Sequence, residues 1–123
     1  MYGNGTDLVQ AFVNIINNTK EKLEQSDMAN KYIFIDAYKV NQAVEMQIYD
    51  NAGGIEPELI ERIFEPYFTT YHKEQGKGLG LYVVQQILLQ THKAKLEVSN
   101  KEFQFNSQNY KGLCFKITFE PLS

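Results

Sequence analysis

Asn14 and Asn18 stand four residues apart, Asp50 closes an apolar run and leads into Asn51-Ala52-Gly53-Gly54-Ile55, and Gly76-Lys77-Gly78-Leu79-Gly80-Leu81 opens a second apolar run. On a helix, Asn14 and Asn18 share a face with Gln10 and with Glu21 or Lys22, and amide oxygens so placed suit a hard cation such as Mg²⁺. The plainer reading of that face is the solvent side of an amphipathic helix. Asp50 can accept a hydrogen bond from an exocyclic amine such as that of adenine, with Gly53-Gly54 clearing side chains from the approach of a flat ligand. The competing reading is a turn in which Asp50 caps its own backbone. Free N–H groups and the dipole at a helix start favour phosphate, and Lys77 or Lys73 would add a positive charge. That spacing fits neither a P-loop nor a dinucleotide fingerprint, and a loop whose glycines serve only helix entry remains open.

These groups need elements to hold them. With Thr6 or Asp7 as N-cap, Leu8, Phe12, Ile15, Ile16 and Leu23 recur at helical spacing and predict a helix over 7–24. Lys31–Tyr38 and Ala43–Tyr49 are rich in β-branched and aromatic residues and predict an antiparallel pair joined at Val40-Asn41-Gln42, with Asp50 at the end of the second strand. Pro57 suits the first turn of a short helix, Glu58–Ile63. Residues 69–76 read as an exposed loop, and Gly78–Gln90 as a helix that turns Leu79, Val83, Val84, Ile87 and Leu88 inward. Ala94, Leu96 and Val98 alternate with polar residues, as do Leu113, Phe115, Ile117 and Phe119, which predicts two strands with one buried face each. Phe103 and Phe105 extend or follow the first of them, and Asn106–Gly112 reads as a turn-rich connection. The fold class is α+β: a two-layer sandwich, mostly antiparallel sheet with helices packed on one face.

The chain of 123 residues, 43% hydrophobic, is sized for one domain with one core, over 1–123. Its net charge of −3 is interspersed, which disfavours nucleic acid or an anionic membrane as partner. Cys114 is the single cysteine, so intrachain disulfides and cysteine-based zinc sites are excluded and a cytoplasmic setting is expected. No apolar run reaches the length of about 20 residues that spans a bilayer. The expected domain is soluble, and a full-length protein anchored in the inner membrane is compatible with it. His72 and His92 lack partners at ligand spacing and are assigned neither to metal nor to catalysis, no Ser-His-Asp set stands out, and Lys20, Glu21, Lys22 and Glu24 read as a solvated helix face.

Taken together, Asn14-x-x-x-Asn18, Asp50-Asn51-Ala52-Gly53-Gly54-Ile55, Phe64-Glu65-Pro66-Tyr67-Phe68-Thr69-Thr70 and Gly76-Lys77-Gly78-Leu79-Gly80-Leu81 resemble the N box, first glycine box, F box and second glycine box of the sensor histidine kinase ATP-binding domain. That family belongs to the wider group of gyrase, Hsp90 and MutL. The resemblance covers Asp7 to Pro121 and includes the closing run Gly112–Pro121. It implies ATP and Mg²⁺ as cofactors, Asn18 as leading metal ligand with Asn14 as helper, and Asp50 as adenine reader. It also implies Gly54 and Ile55 in the pocket floor, Gly78, Leu79 and Gly80 on the phosphates, and Thr69–Lys77 as a lid braced by Phe64, Tyr67 and Phe68. Three departures accompany it: Ala52 replaces the third residue's usual glycine, Tyr71 follows the Thr-Thr pair in place of lysine with Lys73 the nearest candidate, and Glu21 stands where many relatives carry a phosphate-contacting lysine, with Lys22 as substitute.

In the gyrase and Hsp90 ATPases the position of Asn14 is a glutamate that acts as general base on water, and an amide cannot take that proton. The resemblance therefore implies transfer of the γ-phosphoryl group to a histidine on a separate dimerisation domain, and from there to a response regulator, in two-component signalling. No residue of the chain itself is assigned as catalytic. An anti-sigma-factor-type serine kinase and a non-catalytic ATP-sensing module are the alternatives. The family usually carries a strand before the first helix, and only Met1–Thr6 precede it here, so a fragment is expected. The isolated domain is expected to be monomeric, with strand-edge pairing as the route to a dimer.

Overall fold

A computed structural model describes residues 5–65, 80–90 and 94–120. Helix α1 covers Gly5–Glu24, strands β1 and β2 cover Ile33–Val40 and Ala43–Asp50, and a 3-10 helix covers Pro57–Phe64. Helix α2 covers Gly80–Gln90, and strands β3 and β4 cover Ala94–Phe105 and Gln108–Phe119. In α1 the residues Ala11, Ile15, Thr19 and Leu23 recur every four positions and are all buried, the stripe that turns a helix toward a core. The helix stops where Ser26 folds back, its N–H and Oγ both reaching the Leu23 carbonyl, at 3.1 and 2.8 Å.

The described strands form one sheet in the order β1-β2-β4-β3, and every pairing is antiparallel. Register puts Ile48 opposite Phe115 and Met46 opposite Ile117, with Val98 and Leu96 next along. This face meets α1, α2 and the 3-10 helix in a core of Ala11, Ile15, Ile48, Ile63, Leu81, Val84, Leu88, Leu113, Phe115 and Ile117. The helices leave its β1 side open, where Ile33, Ile35 and Val44 are exposed. The opposite face carries six rings at one end. Tyr32, Phe34, Tyr49, Phe103, Phe105 and Tyr110 lie with neighbouring centroids between 4.9 and 5.9 Å apart, most of them edge to face, the arrangement that ring quadrupoles favour.

The two-layer architecture agrees with the expectation from sequence, and local details differ. Helix α1 already includes Thr6 and Asp7, two residues beyond the start expected from sequence. Strand β1 starts at Ile33, because Asn51 holds the preceding segment, accepting from the Tyr32 N–H at 2.9 Å and donating to the Asn30 carbonyl at 2.8 Å. The stretch Asn106–Gly112 is not a long connection. Only Asn106 and Ser107 turn, with φ of 52° and 65°, the left-handed geometry of a two-residue hairpin loop. Residues Gln108 to Gly112 pair with Phe105 to Lys101, and the facing Phe103 and Tyr110 hold this polar-looking strand in place.

Candidate functional site

Strand β2 alternates faces to its last residue, so Tyr49 joins the rings on one side and Asp50 enters the helix-covered side at 0% exposure. Its two carboxylate oxygens have different roles. Oδ1 accepts from the Ala52 N–H at 2.8 Å and, more loosely, from the Leu113 N–H at 3.4 Å. This is the backbone-capping role that competed with ligand binding in the sequence. Oδ2 has no hydrogen-bond partner among the described residues. Its nearest charge is Lys22 Nζ at 3.7 Å, on a side chain that is 10% exposed. A buried acceptor in this state costs free energy unless something donates to it.

The glycine turn after Asp50 is fastened to the β3–β4 hairpin. The Gly53 N–H donates to the Lys111 carbonyl at 2.8 Å. Asn100 clamps Ile55 from both sides, Oδ1 accepting from its N–H at 2.9 Å and Nδ2 donating to its carbonyl at 2.8 Å. Gly53 and Gly54 have φ of 97° and 75°, and a Cβ on Gly54 would collide with the Asn100 amide. Gly54 is thus required by turn geometry and by close packing, while the Ile55 and Phe64 side chains lean on the core. Gly112 is a second close approach, since a Cβ there would strike the Asp50 backbone carbonyl. Neither Gly112 nor Asn100 was singled out in the sequence as part of the site. Gly112 lay in a stretch that read as turn, and Asn100 acts on a residue 45 positions away.

On α1, Asn14 and Asn18 are half-buried on one side of the helix, and Gln10 Nε2 donates to Asn14 Oδ1 at 2.7 Å. Lys22 departs from expectation. The charge run around it predicts a solvated face, and its ammonium is instead buried beside Asp50 Oδ2. Burial pushes its pKa down, with the adjacent Asp50 carboxylate opposing that shift. Thr19, one turn earlier, is 1% exposed, and its Oγ1 has no hydrogen-bond partner among the described residues. Sequence reasoning passed over it because a threonine at a core-stripe position reads as packing.

Gly80 opens α2. Tyr67, Lys73, Lys77, Gly78 and Leu79, with the lid expected over Thr69–Lys77, lie outside the described residues. Among the described residues no set of three or more His, Cys, Asp or Glu side chains is grouped to hold a metal. No described helix is long and apolar enough to cross a membrane.

Residues 3–122 match the profile of the family described as "Histidine kinase-, DNA gyrase B-, and HSP90-like ATPase". The chain is 38% identical over 84 residues to the two-component sensor PprA of Pseudomonas aeruginosa, covering 66% of this chain and 9% of that protein. It is 33% identical over 117 residues to sporulation kinase A of Bacillus subtilis, covering 95% of this chain and 17% of that one. It therefore spans less than a fifth of either relative. Among solved structures, the catalytic domain of histidine kinase ThkA superposes with a TM-score of 0.69 at 26% identity, over 94% of this chain and 66% of that one. The mycobacterial sensor histidine kinase MprB shares the fold, with a TM-score of 0.76 at 23% identity over 99% and 78%.

Proposed function

The chain belongs to the histidine kinase-, DNA gyrase B- and HSP90-like ATPase family, as a catalytic domain of the sensor histidine kinase type, and from that premise we propose that it binds Mg·ATP and passes the γ-phosphoryl group to a histidine on a separate dimerisation domain. The observation that carries the reading is Asp50 Oδ2, a carboxylate oxygen buried at the end of β2 with no hydrogen-bond donor among the described residues. The adenine amino group supplies that donor. Asp50 is held for the task by its other oxygen, on the Ala52 and Leu113 amides, so the base meets an acceptor already oriented.

Asn18, with Asn14 beside it, would hold Mg²⁺, whose charge offsets that developing on the transferred phosphoryl oxygens. The expected phosphate contacts are Gly78, Leu79 and Gly80 at the start of α2, with Lys73 or Lys77 as cations. Nothing at Asn14 can deprotonate water, which favours transfer to a side chain over hydrolysis. The acceptor histidine belongs to a partner domain, and the response regulator receives the group from there.

Calorimetric titration of the 123-residue chain with ATP, with and without Mg²⁺, tests this. Asp50→Ala should weaken ATP in both conditions, and Asn18→Ala chiefly when Mg²⁺ is present. Unchanged affinity in both variants refutes the site. Acid-labile phosphate on a supplied dimerisation domain tests the transfer, and acid-stable phosphoserine would refute the histidine acceptor.

A further inference from the structure

The acceptor that Asp50 would offer to a base is covered by the chain itself. Asp50 Oδ2 and Lys22 Nζ are both closed to solvent, and neither has a hydrogen-bond partner among the described residues. They lie 3.7 Å apart, with the lysine side chain 10% exposed. An amine nitrogen donating to Oδ2 must come to about 2.9 Å, so a neighbour has to move before it can. Asp50 is held in place. Its Oδ1 accepts from the Ala52 and Leu113 amides, and its backbone carbonyl is packed against Gly112. Lys22 is not held in this way. It stands in the last turn of α1, one turn past Asn18 on the same side, and its ammonium has no hydrogen bond to lose. Its burial is opposed by desolvation, and a flexible four-carbon stem lets the charge reach water.

We propose that Lys22 is an autoinhibitory contact of the base pocket: its ammonium covers Asp50 Oδ2, and a nucleotide binds by turning that side chain out to solvent. The inference rests on reading the Asp50 end of the site as the base pocket. Opening satisfies two groups in one step, since Oδ2 gains a donor from the base and the ammonium regains its water. The closed form still competes with the nucleotide. The apparent affinity is therefore the affinity of the open form reduced by the fraction of molecules that are open. Removing the lysine should release that penalty, whereas a lysine that assisted binding, for instance as a phosphate cation, would give the opposite sign.

Two measurements on the whole chain with Mg·ATP test this. In calorimetric titration Lys22→Ala, which removes stem and charge together, should bind ATP at least about tenfold more tightly than the wild type, the effect of a closed form that outweighs the open one by about ten to one. In amine-selective acetylation read by mass spectrometry, Lys22 of the wild type should react slowly alone and at least about fivefold faster at saturating ATP, because its reactivity follows the open fraction. The labelling needs no variant and decides alone if Lys22→Ala fails to fold. An affinity that Lys22→Ala leaves unchanged or weakens, or a Lys22 that stays protected with ATP bound, overturns the contact while the ATP site stands. Binding of ATP by neither protein overturns the base pocket and this inference with it.

Discussion

Asp50→Asn separates the two tasks of that side chain. The amide keeps an oxygen where Oδ1 lies, so the bonds from the Ala52 and Leu113 amides, 2.8 and 3.4 Å long, persist. The change falls at Oδ2, where an NH₂ group now faces Lys22 Nζ across the 3.7 Å gap. Breaking a buried pair by removing one partner costs about 3–5 kcal/mol when the remaining charge has no escape. Lys22 has one. Shedding the proton of a lysine with an ordinary pKa costs about 4 kcal/mol at pH 7.5, and burial has already lowered that pKa. The flexible lysine stem can also swing toward solvent. The net destabilisation should therefore be about 1–3 kcal/mol near neutral pH.

The variant also removes what held the Lys22 pKa up, namely the Asp50 charge, and leaves the desolvation that pulls it down. A lysine whose folded pKa lies below its unfolded value makes stability rise with pH through that interval, because the unfolded chain binds more protons there. The deficit of Asp50→Asn relative to wild type should therefore shrink between pH 7 and pH 10. Urea unfolding of both proteins at several pH values in that range measures it. A deficit below about 0.5 kcal/mol at pH 7, or one that does not change with pH, would refute the argument that Lys22 depends on Asp50.

Gly112→Ala forces a Cβ against the Asp50 carbonyl, and because backbone must move, a loss at or above the upper end of the usual 1–3 kcal/mol for overpacking is expected in denaturant unfolding, with weaker ATP binding as Leu113 shifts. No loss in either measurement would show that the strands part freely at that point. Burial and the hydrogen bond to Asp36 push Tyr49 up to about 12. Stability from this group is full below the unfolded tyrosine pKa near 10 and is lost as pH rises through about 12. Absorbance titration at alkaline pH should show a late-ionising tyrosine that Tyr49→Phe removes.

Much of the site was legible because it lies on regular periods. Asn14 and Asn18 share a helix side through their four-residue spacing, and Asp50 is inward because β2 alternates without interruption. Helix α2 and the core faces of β3 and β4 followed from the same periodicities. What escaped was set by partners distant in sequence. Lys22 sits in a charge run that looks solvated, and only the arrival of Asp50 beneath it turns that lysine inward. Gln108–Gly112 carries turn-forming residues, yet Phe103 opposite Tyr110 makes it strand. Asn100 has no local signal at all, since its two bonds go to a backbone far earlier in the chain. The carboxylate offered two readings in the sequence, capping or ligand, and the structure gives one oxygen to capping.

The bond from Leu113 to Asp50 joins residues 63 positions apart, which has a consequence for how the protein is made. Contacts of such separation form late, after the loop between them has closed. A chain still leaving the ribosome displays Asp50, Lys22 and both asparagines long before β4 exists to orient the carboxylate or to pair with β2. On the reading of Asp50 as the acceptor for the base, nucleotide binding is expected only once β4 has paired with β2 and brought the Leu113 amide to the carboxylate.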